Sequence, residues 1–136
     1  MKWLVALVVL AGVARADAPA PDPIAQRLYP PELIMSHQQE LGIDDKQRDA
    51  IVKEVQALQN KVVEVQFQMS AAVEELTKLL DAPRVDEAKT VAQADKVMGF
   101  ERDIKRAHLG ALIRIRNLLT DAQRAKLTEL RAKSSP

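Results

Sequence analysis

Apolar residues recur at alternating steps of four and three along the middle of the chain: Ile51, Val55, Leu58, Val62, Val65, Met69, Ala72, Leu76 and Leu79. Residues three and four apart lie on one side of a helix, so this row is a narrow stripe along one long helix, suited to packing on another. A second row, Val97, Phe100, Ile104, Ala107, Ala111, Ile115 and Leu118, follows further on. Between them stands Asp81-Ala82-Pro83. Proline lacks the amide hydrogen a helix interior needs, so the chain turns there. No segment alternates with the two-residue period of a strand. The pattern predicts an all-α chain, a long antiparallel helical hairpin with short flanking helices.

The helix ends are marked by polar residues. Asp44 followed by Gln47 is a variant of the capping box, in which a side-chain oxygen accepts from the amide three residues on while that residue's side chain reaches back. The first long helix then runs from Asp45 to about Leu80, a length of roughly 50 Å at 1.5 Å per residue. Asp86 is placed to cap the second, which runs to about Leu118. Thr120 and Gln123 form a full capping box and open a last helix, and Ser134 to Pro136 make a frayed tail. Upstream, Pro31 suits the first position of a short helix through Glu40, and Leu41-Gly42-Ile43 makes the corner.

The first residues change where such a bundle is expected to work. Met1 and Lys2 precede a mostly apolar run from Trp3 to Ala14, followed by Ala14-Arg15-Ala16. A basic start, a short apolar run and a small-x-small site describe a secretory signal peptide over residues 1–16. The run is shorter than the ~20 residues that span a bilayer. Cleavage is expected after Ala16, with Ala18 the second choice and a retained N-terminal anchor the alternative to cleavage. Residues 17–30 read as a flexible Pro/Ala-rich leader, and residues 31–133 as the helical domain.

Composition narrows the function. Removing Lys2 and Arg15 from the 20 basic residues leaves 18 against 19 acidic, a net charge of −1. Bulk charge therefore points to neither nucleic acid nor a membrane surface. The chain has no cysteine, which excludes disulfides and thiol chemistry. Beyond the signal segment the aromatics are Tyr29, Phe67 and Phe100. An aliphatic core on long helices is thin, so a homodimer is expected. Ser36 and Ser70 lack an identifiable base, and there is no Gly-rich phosphate loop. The chain does not read as an enzyme.

A hairpin needs one apolar stripe per helix, and this chain has more. At roughly 100° per residue, Val52, Val63 and Phe67 stand about 100–160° from the Ile51–Leu79 stripe. Leu109 and Ile113 lie outside the Phe100–Leu118 stripe, among Arg102, Lys105, Arg106 and Arg116. Residues 96–136 carry ten basic and four acidic side chains, whereas 40–95 carry seven and twelve. Val63, Phe67, Arg102, Lys105, Arg106, Leu109, Ile113 and Arg116 are thus candidates for a client or dimer surface, where scattered aliphatics and flexible cations engage many unfolded segments weakly. The competing use for the extra apolar residues is contact with the short first and last helices. His37 and His108 are the only histidines. If the first helix folds back, they meet, with Glu54 or Glu40 as a carboxylate and Met35 nearby, a set suited to zinc, nickel or cobalt. No His-x-x-x-His or His-x-x-x-Met pair supports such a site, and two ordinary polar histidines are the simpler reading.

The two boxes, Ile43-Asp44-Asp45-Lys46-Gln47 and Leu119-Thr120-Asp121-Ala122-Gln123, resemble the LTxxQ motif of the Spy/CpxP family of periplasmic stress proteins. The second fits fully, while the first has Asp where the family has Thr. The similarity covers roughly residues 41–131. It implies a four-helix protomer that pairs into a thin, curved, cradle-like dimer. It also implies one of two occupations: an ATP-independent periplasmic chaperone of unfolded or damaged envelope proteins, or a zinc-, nickel- or cobalt-responsive regulator that meets a membrane sensor. A purely structural envelope coiled coil is the remaining expectation.

Overall fold

The structure, a computed structural model, describes residues 20–134. A 3-10 turn, Ala25–Arg27, is followed by five helices: α1 Pro31–Ser36, α2 Gln38–Leu41, α3 Asp45–Leu80, α4 Glu87–Leu118 and α5 Asp121–Ser134. There is no strand among the described residues. The long helices pack antiparallel, and α1, α2 and α5 gather at the end of the hairpin where α3 begins and α4 ends.

The polar boundary residues act as their positions require. Asp44 Oδ1 accepts from the Gln47 amide at 2.7 Å, and Gln47 Oε1 accepts from the Asp44 amide at 3.3 Å. Asp86 Oδ1 accepts from the Lys89 amide at 3.0 Å. Thr120 Oγ1 accepts from the Gln123 amide at 3.2 Å, and Gln123 Oε1 accepts from the Thr120 amide at 2.9 Å. These bonds satisfy amides that the first turn of a helix leaves open. Gly42 closes α2 with φ +65°, a left-handed conformation that glycine adopts without a Cβ penalty. The Ile43 and Gly42 amides donate to Gln38 and Gln39 carbonyls, the bond pair of a Schellman end.

The core lies at the closed end. Tyr29, Ile34, Leu41, Ile51, Ile115, Leu119, Leu127 and Leu130 form one buried cluster. Ile115 and Leu127 are fully enclosed, and burying an aliphatic side chain of this size contributes about 1.5–3 kcal/mol. Further along, only α3 and α4 face each other. The two predicted stripes meet there, every member being buried or half-buried.

One expectation needs correction. The helix expected from Pro31 through Glu40 is broken at His37, whose φ of −126° and ψ of 27° separate α1 from α2. Of the leader expected over residues 17–30, the described part carries the Ala25–Arg27 turn and is held against α5. Tyr29 is buried, and its hydroxyl shares a 3.1 Å hydrogen bond with that of Thr128 on α5. The Arg131 guanidinium lies 5.1 Å from the Tyr29 ring centre and donates to the carbonyls of Ala25, Gln26 and Leu28. A planar cation that stacks and also bonds several carbonyls holds a segment in place without any regular structure. The proposed signal segment, residues 1–16, lies outside the described residues.

Candidate functional site

The outer face of α4 carries the mixed chemistry expected there. Leu109 and Ile113 are each 43% exposed, and Met98 is also exposed. Met98, Glu101, Arg102, Lys105, Arg106 and Leu109 line a shallow depression along this one helix. Among the described residues, Arg102, Lys105 and Arg106 enter no ion pair. Three cations within five residues therefore stand beside bare aliphatic surface. Arg116 does not join them. Its Nε donates to the Arg27 carbonyl at 3.2 Å, so this side chain helps hold the leader. Elsewhere on the surface, a hydrogen bond and the charge of Glu75, then the charge of Glu74, hold the Lys78 amine above its ordinary pKa. Lys133 and then Lys126 hold the Glu129 carboxyl below its own. Neither group touches the α4 face.

A second feature sits between the long helices. Val63 is half-exposed, and with Val55, Leu58, Val62, His108 and Leu112 it lines an apolar groove of about 430 Å³. Pro30, Pro31 and Glu32 also line it, so the end of the leader and the start of α1 shape this groove. Phe67, one helical turn beyond Val63, is 76% exposed. Of the predicted surface residues, Val63 and Phe67 thus mark α3, while Arg102, Lys105, Arg106, Leu109 and Ile113 mark α4.

The structure does not bring the proposed metal ligands together. His37 Nδ1 lies 3.1 Å from Glu40 Oε1, Glu54 Oε2 accepts from Arg114 Nε at 2.7 Å, and His108 lines the apolar groove. Glu54 is thus committed to Arg114 rather than to an imidazole. Among the described residues no three of His, Cys, Asp and Glu are grouped to hold a metal ion.

One constellation exceeds what the capping pattern alone reveals. Gln47 Nε2 donates to Gln123 Oε1 at 2.7 Å and to the Leu118 carbonyl at 3.0 Å. Gln123 Nε2 donates to Gln47 Oε1 at 3.1 Å and to the Leu41 carbonyl at 3.2 Å. Each amide also accepts from the residue at the start of its own box. Both donors and the acceptor of each glutamine are used, so the two boxes form one reciprocal clasp across 76 residues. A family model described as heavy-metal resistance matches residues 3–126 of the chain. The chain belongs to the heavy-metal resistance family. This is the Spy/CpxP-like family marked by the LTxxQ motif, and it is non-enzymatic. Curated proteins gave no significant match, and solved structures gave none either. In this family member, the LTxxQ glutamines join the two helix starts to each other.

Proposed function

We propose that this protein is exported to the periplasm and there binds unfolded or damaged envelope proteins without ATP, holding them on the outer face of α4. The observation that carries this reading is the side-by-side exposure of Met98, Leu109 and Ile113 with Arg102, Lys105 and Arg106, cations that have no ion-pair partners among the described residues. Unfolded chains present short apolar segments and charges. Scattered aliphatics with long flexible cations engage both weakly, and the cationic heads stay hydrated, so release needs no energy input. The basic, apolar start of the sequence supports export. Light scattering of a denatured client tests the proposal. An equimolar amount of protein is expected to suppress aggregation, and an unchanged time course refutes the reading.

The family favours a second reading, a metal-responsive regulator of envelope-stress signalling that docks on a membrane sensor. Its ligands would start from the His37–Glu40 contact, the one place among the described residues where an imidazole and a carboxylate already meet. Calorimetric titration with zinc, nickel and cobalt separates the two. Micromolar binding that His37→Ala abolishes favours regulation, and absence of heat for all three ions leaves the chaperone reading.

A further inference from the structure

The groove between the long helices differs in charge from the basic face of α4. Its floor is aliphatic, where Val55, Leu58, Val62 and Val63 of α3 meet Leu112 and Ile115 of α4. Its polar atoms come from Glu32, Gln59 and His108, and among the described residues no lysine or arginine lines it. Glu54 on the same helix is bound by Arg114, and Glu129 on α5 lies near Lys126 and Lys133. Glu32 is exposed and enters no ion pair among the described residues. The groove thus offers one uncompensated negative charge beside an apolar floor. Its rim is also preformed. Pro30 and Pro31 have fixed φ, and the adjoining Tyr29 is buried and bonded to Thr128. Small-molecule sites are mostly apolar, of about 300–1,000 Å³, with a few polar groups that fix orientation. A groove of about 430 Å³ with three polar side chains has that make-up.

We propose that this groove binds a small amphipathic cation, with an alkyl or aryl body on the aliphatic floor and a protonated amine at Glu32. The floor decides the body, because covering it removes apolar surface of both partners from water. The carboxylate decides the head. An anion of the same body would set like charge beside Glu32, with no lining cation to offset it, and a neutral head would leave Glu32 as it is. The Gln59 carbonyl and a neutral His108 ring nitrogen can accept from an amine N–H as well. The head stays at the exposed rim and keeps part of its water while the body is covered, as a lysine side chain does at a protein surface. On α4 the order is reversed: Arg102, Lys105 and Arg106 against Glu101 favour anions beside Met98 and Leu109. Two apolar surfaces of one chain therefore sort ligands by opposite charge. The groove does not depend on client binding at α4, so failure of either reading leaves the other standing.

Titration of the purified protein with octylammonium, octanol and octanoate, followed by amide chemical shifts, compares one tail under three heads. The chain has a formal net charge of only +1, so bulk charge does not favour the cation and a preference for it reports the site. Octylammonium is expected to move the amides of Val62 and Leu112 and to bind the groove at least about fivefold more tightly than octanoate. Glu32→Gln is expected to erase its advantage over octanol, and Glu32→Lys to place octanoate ahead. Val63→Trp, at an exposed position on the groove, is expected to abolish the shift at Leu112 with helicity unchanged. Octylammonium that moves no groove amide overturns the proposal. So does an affinity indifferent to both Glu32→Gln and Glu32→Lys, or octanoate that binds the groove of the unmodified protein as tightly as octylammonium.

Discussion

The two ends of the hairpin are held by different means. At the closed end three short helices, the docked leader and the glutamine clasp surround the start of α3 and the end of α4, and every residue of the buried cluster lies there. Towards the Asp81 turn, α3 and α4 have only each other. Between Val62 and Val97 the buried residues are Val65, Ala72 and Thr90, while Phe67, Val73, Leu80 and Val91 are exposed. Stability is concentrated where polar satisfaction and burial coincide. The open half trades burial for exposed apolar surface, the property expected of a part that meets other chains.

The sharpest way to break this contrast is at Ile115, which is fully buried in the closed end. Ile115→Ala is expected to lower unfolding stability by about 3 to 4 kcal/mol, measured by urea titration, whereas Val73→Ala in the open half is expected to change it far less. Comparable losses at the two sites erase the distinction. Next in size, Gln123→Ala removes the side-chain partner of the Leu41 carbonyl and of the Thr120 amide and leaves the Gln47 side chain bonded only to Leu118 and Asp44, and it is expected to cost about 2 to 3 kcal/mol. A double-mutant cycle with Gln47→Ala sharpens the point, since a reciprocal pair is expected to show coupling of about 1 kcal/mol or more, and strict additivity counts against a clasp. Amide hydrogen exchange reads the contrast without mutation: amides around Ile115 and Ile51 are expected to exchange about 100-fold more slowly than those near Leu80 and Val91. Uniform protection along α3 contradicts it. Smallest is Leu109→Ser, expected to shift stability by less than about 0.5 kcal/mol at this half-exposed position, yet to reduce protection of an aggregating client.

Much of the open half was legible in the sequence, because each helix there packs on one partner and its own periodicity names the packed side. The capped starts of α3, α4 and α5 were legible for the same local reason: a cap is written within four residues. The closed end was less so. Gln47 and Gln123 could be recognised as reaching back to their own helices, but their meeting depends on how segments 76 residues apart are placed. Arg116 reads as one more surface cation until the leader lies beside it, and Arg131 gives no periodic signal of its capture of Tyr29. A lone tyrosine in a proline-rich segment was the only hint of docking. Glu54 of the proposed metal set depends on placement in the same way: it faces Arg114 across the hairpin and accepts from its Nε at 2.7 Å, a contact that no local pattern announces.

The position of the clasp bears on how accurately the far tip is aimed. A 36-residue rod is roughly 54 Å long, so tilting it by about three degrees at its base swings Leu80 by roughly 3 Å. Two side-chain amides at the base therefore act as the pivot of a long lever, and sub-ångström looseness between them is magnified into ångströms of play at the opposite extremity.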